Sequence, residues 1–352
     1  MRLPAAAVVI AAALAACGGD GGNVVTNPTL PPRTYVMGFS AVPPRFDAAL
    51  VPPVVDLFAR RADAGLVLQE PPWAELLSGG DPEALVRANP LGIADYFRAK
   101  GLRVVASIDP ADGLDRSRDS PALVAAGRRL AEPEVRDLYR RYVGAFVTLV
   151  RPEALTLASE TNLIRAVAPA SVYGGVVAAA NLAAAEARLR APALPLMITV
   201  QVDVASGRLP GGVGAGIAQD RADFPFLQAL GLSSYPYLAG FNDPEELPLD
   251  YYSRLVADAP LPLYVIEGGW TSSSALGGSP EEQRRYIERH ARILDTARAL
   301  AWFQITFTDL DAAVLPAGIG PFASLGLVDV SLQPKPALTS WDAAFARPLE
   351  RR

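Results

Sequence analysis

Ala154-Leu155-Thr156-Leu157-Ala158-Ser159-Glu160-Thr161-Asn162 is a short apolar run that closes on a carboxylate, and its strand-forming part, Ala154 to Ser159, is one of eight such runs in the chain. The others are Thr34 to Ser40, Ala64 to Gln69, Leu102 to Ile108, Leu194 to Val202, Ala229 to Ser234, Leu261 to Ile266 and Ala301 to Thr306. Segments with helical spacing separate them, which is the alternation that parallel βαβ units produce. From Val135 onward, Leu138, Tyr139, Tyr142, Phe146, Leu149 and Val150 fall on one stripe opposite Arg136, Asp137, Arg140 and Arg141, predicting an amphipathic outer helix. Ser279 as N-cap, Pro280 at the first helical position and Glu282 three residues on predict a second helix, running to about Ala299. Eight such units predict an α/β protein, a (β/α)8 TIM barrel in a single domain over residues 34–347. A doubly wound open sheet would want a Gly-rich phosphate turn after the first strand. Gly38-Phe39-Ser40-Ala41-Val42-Pro43-Pro44 supplies neither the glycines nor a helix start.

Ahead of the barrel, Met1 and Arg2 give a positive start and Leu3 to Ala16 form an apolar run too short to anchor stably across a bilayer. Residues 1–16 therefore read as a signal peptide. Leu14-Ala15-Ala16-Cys17-Gly18 resembles the bacterial lipobox. That resemblance implies cleavage before Cys17, lipid on its sulfur and a membrane anchor. Residues 17–33, rich in Gly and Pro and without apolar periodicity, read as a flexible tether. Gly18 in place of Asp after the cysteine resembles lipoproteins sent to an outer membrane. The expected location is the cell envelope, facing outside the cytoplasm, at an outer membrane or cell surface. Cys17 is the only cysteine, so its acylation would leave no thiol for disulfides, thiolate metal sites or nucleophilic catalysis.

A hydrophobic content of 51% is ample for a core, and a net charge of -5 without a basic cluster argues against a nucleic-acid partner. His290 is the only histidine, and Glu288, Arg289 and Arg292 around it suggest a solvated helix residue, so Ser-His-Asp catalysis and histidine metal sites drop out. There is no Gly-Lys-Ser/Thr phosphate loop, and no cofactor or metal is expected. Asp109, Glu160 and Asp203 leave an acidic metal site open without fixing its geometry.

Reacting groups in such barrels sit at the C-terminal ends of strands. A strand must leave its core through polar residues, so Asp109, Asp203 and Asp309 read as caps of the following helices. Glu160 and Glu267 each follow directly on a strongly apolar strand and should project into the mouth from strands four and seven. There they would face one another, as a retaining glycosidase requires, with carboxyl groups roughly 5 to 5.5 Å apart. Trp73, Trp270, Tyr235 and Tyr237 fall in the mouth loops, where flat rings can stack on sugar C–H faces. Glu70 and Asn162 complete the candidate substrate-binding set. Asn162 could reach the sugar or cap the helix that follows.

With these residues the chain resembles clan A glycoside hydrolases, nearest the arabinogalactan endo-galactanase family. Leu157-Ala158-Ser159-Glu160-Thr161-Asn162 is similar to the clan's acid/base segment, Gly231-Leu232-Ser233-Ser234-Tyr235-Pro236-Tyr237 to its strand-six stretch, and Val265-Ile266-Glu267 to its nucleophile strand. Leu325-Gly326-Leu327-Val328-Asp329 with Lys335-Pro336-Ala337 and Trp341 resembles the closing segment. The resemblance implies a retaining O-glycosidase acting on a polysaccharide or oligosaccharide, with Glu267 as nucleophile and Glu160 as acid/base. Burial beside a like charge should raise the pKa of Glu160, and Tyr235 or Tyr237 should hydrogen-bond Glu267. Ser159 departs from the clan's Asn before the acid/base Glu, which shortens or removes a contact to the sugar 2-hydroxyl. The other reading is an inactive barrel lipoprotein that binds glycan or a protein partner.

Overall fold

All eight apolar runs form parallel strands in a computed structural model that describes residues 30–209, 213–315 and 318–350. The strands are β1 (Val36–Ser40), β2 (Ala64–Gln69), β3 (Arg103–Ile108), β4 (Ala154–Thr156), β5 (Leu196–Met197), β6 (Thr199–Gln201), β7 (Leu230–Ser234), β8 (Leu263–Gly268) and β9 (Ala301–Gln304). They are ordered β5-β4-β3-β2-β1-β9-β8-β7-β6, and every ladder between them is parallel. β5 and β6 lie at opposite ends of that order yet are consecutive in sequence through Ile198, so they are two halves of one strand at which the barrel closes. This is the expected TIM barrel.

Alternation along the strands divides the core in two. Val36, Leu66, Val105, Met197, Ile266 and Phe303 belong to one cluster drawn from strands all round the sheet, which fills the barrel. The larger cluster lies between the strands and the outer helices, where Phe39, Phe58, Trp302 and Trp341 pack ring against ring. The two helices read from sequence occupy Pro133–Val150 and Pro280–Ala297, and Ser279 caps the second by accepting from the Glu282 amide. One connection departs from the βα rhythm. Between β7 and β8 the chain makes only 3-10 turns, because Pro236, Gly240, Pro244 and Pro248 recur too closely for an α-helix to propagate.

Two readings change. Arg33, placed in the tether by sequence, is buried and paired with Asp63 at 2.6 Å, and its backbone bonds to Pro348 and Glu350. The unit containing the barrel accordingly begins at Pro32. His290 is not solvated. It shares a stripe with Gln283, Tyr286, Ile287 and Leu294, is buried, and lies 2.8 Å from the Tyr252 hydroxyl. Burial lowers its pKa to about 3. Its charged neighbours in sequence point elsewhere because the helix advances about 100° per residue. Cys17 and the signal segment lie outside the described residues. Among the described residues, no helix is long and apolar enough to cross a membrane.

Candidate active site

Glu160 stands where β4 gives way to the helix Thr161–Val167, in a left-handed backbone conformation with φ of 49°. Non-glycine residues seldom adopt this region, and where they do the surroundings must hold them there. Two groups of bonds do so. The Glu160 amide donates to Thr199 Oγ1 at 2.8 Å, and its carbonyl accepts from the Leu163 and Ile164 amides.

Glu267 reaches the same mouth through a β-bulge. Val265 faces Leu232 and Glu267 faces Ser233, so Ile266 has no residue opposite it. The extra residue lets Ile266 stay in the barrel core while Glu267 also turns inward. Glycine is required directly after it. A Cβ on Gly268 would sit 2.5 Å from the Ser234 carbonyl oxygen, and one on Gly269 2.6 Å from Gln304 Nε2.

The Ser233 hydroxyl donates to Glu160 Oε1 at 2.5 Å, between the ends of β4 and β8. Glu267 shares the mouth with Glu160, close enough for the charge of one to act on the other. Arg116 covers the pair. Its Nε donates to Glu160 Oε2 at 2.9 Å, and its Nη1 holds Asp109 Oδ2 and the Asp112 carbonyl. Burial and the Glu160 charge push Glu267 up to about 7, although Arg116 and Ser233 act against the rise.

A cavity of about 510 Å³ opens above the pair, lined among others by Arg116, Glu160, Gln201, Tyr235, Glu267 and Thr306. Tyr235 lies close enough to both carboxyls for their charge, added to burial, to raise its phenol well above the usual value. Its expected bond to Glu267 is absent from the described contacts. Tyr237 donates instead to the Pro321 carbonyl at 2.9 Å.

The two tryptophans expected as sugar platforms do not serve as such. Trp73 and Trp270 are each 1% exposed, Trp73 beside Tyr139 and Trp270 against Tyr286, because outer helices offer aromatic faces there. Asn162 is likewise committed elsewhere. It bonds both the amide and the carbonyl of Gln201, tying the end of β4 to β6, and accepts from the Leu163 amide. Glu70 lies outside the cavity wall and accepts from Ser120 Oγ at 2.6 Å, with burial raising its pKa. Ser159 faces the Ser107 hydroxyl at 3.4 Å.

The three aspartates at strand ends are partnered rather than helix caps. Asp109 pairs with Arg116, Asp309 with Lys335 at 2.8 Å, and Asp203 accepts from Tyr251 and from Gln201 Nε2. Among the described residues, no group of three or more His, Cys, Asp or Glu is placed to hold a metal ion.

Sequence reasoning missed Arg116 and Ser233. Arg116 is delivered by a loop that Asp112 ties together, accepting from the Leu114 and Asp115 amides and from Arg118. The dense Asp/Arg alternation of Asp112 to Asp119 was the available signal. Ser233 lies two residues before Tyr235 on a strand already identified, and the inward parity of β7 would have found it.

No protein-family model matches the chain, and no curated protein matches it significantly. Solved structures do. An exo-β-1,4-mannosidase, Op5Man5 from Opitutaceae bacterium strain TAV5, is similar with a TM-score of 0.66 at 18% identity, over 91% of this chain and 59% of that one. This chain thus spans less than two thirds of that protein's length. GH5_18 from Streptomyces cattleya, solved with GlcNAc, gives 0.66 at 17% identity, over 91% and 83% of the two chains. A family 39 glycoside hydrolase from the gut symbiont Bacteroides cellulosilyticus WH2 gives 0.61 at 14% identity, over 89% and 64%. The shared feature is the parallel barrel, and the structural neighbours named here are glycoside hydrolases.

Proposed function

We propose that this protein is a retaining glycoside hydrolase, in which Glu267 attacks the anomeric carbon and Glu160 serves as acid and then base. The observation that carries this reading is that two carboxyls from strands on opposite sides of the barrel, Glu160 and Glu267, line one open cavity and act on one another's charge there, as double displacement needs. The glycoside hydrolases with similar barrels support it, and the sequence resemblance to the endo-galactanase family is the narrower form of the same reading.

One proton shared between the two carboxyls is the reactive state. Ser233 has a single proton and gives it to Glu160, so a proton leaving Glu267 for the acid would pass through the serine oxygen. Moving a proton from Glu267 to the Ser233 oxygen, and the serine's own proton on to Glu160, yields an ionised nucleophile and a protonated acid. Arg116 must loosen from Glu160 for that transfer, which the leaving-group oxygen would favour by taking its place beside the acid.

Lipid attached at Cys17 would hold the enzyme in the cell envelope, with the barrel outside the cytoplasm and a glycan as substrate. A second reading, a barrel that binds glycan without cleaving it, draws on the Arg116–Glu160 pair, which occupies the acid in the free site. Assay of the purified protein against a panel of glycans and aryl glycosides separates them. Hydrolysis lost in Glu160→Gln and in Glu267→Gln supports the enzyme, and binding without turnover supports the second reading.

A further inference from the structure

We infer that the substrate is a glycoside whose aglycone is a long aliphatic chain, a lipid-linked saccharide rather than a free polysaccharide. The inference rests on the glycosidase reading of the site and names its substrate class. The cavity is graded from floor to rim. Its floor carries Glu160, Glu267, Arg116, Gln201 and the buried Thr306 hydroxyl, whose oxygen has no hydrogen-bond partner among the described residues. Its wall and rim are aliphatic and phenyl. Phe46, Leu68, Leu114, Val167 and Leu238 all line it, and each is at least 36% exposed, Phe46 reaching 61%.

Those five come from the segments that follow or end β1, β2, β3, β4 and β7, so no local accident of sequence gathers them. They make up five of the fourteen large hydrophobic side chains exposed among the described residues, converging on one cavity. Contiguous exposed apolar surface on a soluble protein marks something that covers it. Indole platforms for a succession of sugar rings are missing from this wall, because all four tryptophans are buried in the packing. A polar floor beneath an apolar collar fits a molecule with a sugar at one end and a chain at the other. The glycosidic oxygen then falls between the carboxyls and the chain lies along the collar.

The test is titration of the purified protein with methyl and n-octyl β-D-glucopyranoside and the matching mannosides and galactosides, below the micelle concentration. For the sugar that binds best, the octyl glycoside should have a Kd at least tenfold below that of the methyl glycoside. Phe46→Ser and Leu238→Ser, both at exposed positions, should cut that advantage to less than threefold. Glu267→Gln should keep it, so the preference is read whether or not turnover occurs. Turnover of aryl glycosides without an octyl advantage would overturn the inference and leave the glycosidase reading standing, whereas an octyl advantage without turnover would remove catalysis and keep the site. Equally tight binding of 1-octanol, or a dimer whose dissociation uncovers the collar, would overturn it as well.

Discussion

Arg116 Nε lies 2.9 Å from Glu160 Oε2, so a guanidinium brought in by a loop after β3 rests on the carboxyl at the end of β4. The same group lowers Glu267 through its charge. Replacing it should therefore act on both carboxyls. Arg116→Ala should shift the alkaline limb of kcat/KM to higher pH, since Glu267 loses a cation that favours its ionised form. Arg116→Lys should restore little, because a point charge cannot span Asp109 and Glu160 together as the planar fork does. An unchanged pH profile in both variants would remove Arg116 from the site's electrostatics.

The pair should set the pH range of the unaltered protein. Its reactive form holds one proton, and that proton is lost as Glu267 titrates at about 7. Activity measured as kcat/KM should then fall as pH rises above about 7. A rate that kept climbing to pH 9 would contradict the shared proton.

Ser233 donates to Glu160 beside Glu267, and removing its hydroxyl should slow the proton transfer more than it weakens binding. Ser233→Ala is expected to lower kcat by roughly 10²-fold, at the lower end of what general acid catalysis supplies, with little change in KM. Ser233→Thr, which keeps the hydroxyl, should recover most of the loss. A fall in both variants alike would point to packing of β7 instead.

Stability should reveal Glu267 independently of any substrate. Its folded pKa of about 7 stands above the ordinary 4.5, so the folded state binds more protons than the unfolded chain between those values and stability falls as pH rises through them. The loss is complete above about 7. Glu267→Gln should therefore stabilise the fold at pH 8, by on the order of 3 kcal/mol, and leave it nearly unchanged at pH 4. Thermal unfolding at the two pH values gives the answer, and equal shifts at both would assign the effect to packing.

Anchoring is tested in the cell. Cys17→Ser should abolish labelling by fatty acid and release the protein into the soluble fraction. A variant that stays with the membrane, alongside an unaltered protein that takes up no label, would contradict the lipoprotein proposal.

What the sequence disclosed, and what it hid, follow from how each feature is encoded. Strand positions were legible because each is an uninterrupted apolar run, and Glu160 and Glu267 because each run ends on them. The direction of Trp73 and Trp270 was not, since it depends on packing against Tyr139 and Tyr286, each on a separate helix. His290 was misread from its immediate neighbours, although Tyr286, Ile287 and Leu294 at helical spacing already marked its stripe as buried. The bulge at Ile266 and the path that brings Arg116 over the mouth are set by pairings between segments, which no single stretch records.

The most direct measurement is azide rescue of the two carboxyl variants on an aryl glycoside that the unaltered protein hydrolyses. With Glu160→Ala, azide should restore release of the aryl group and give a glycosyl azide of retained configuration, because it attacks an intermediate already bound to Glu267. With Glu267→Ala, rescue should give the inverted product. Undiminished turnover in Glu267→Ala, or an inverted azide from Glu160→Ala, would contradict the assignment of the two carboxyls and with it the retaining mechanism.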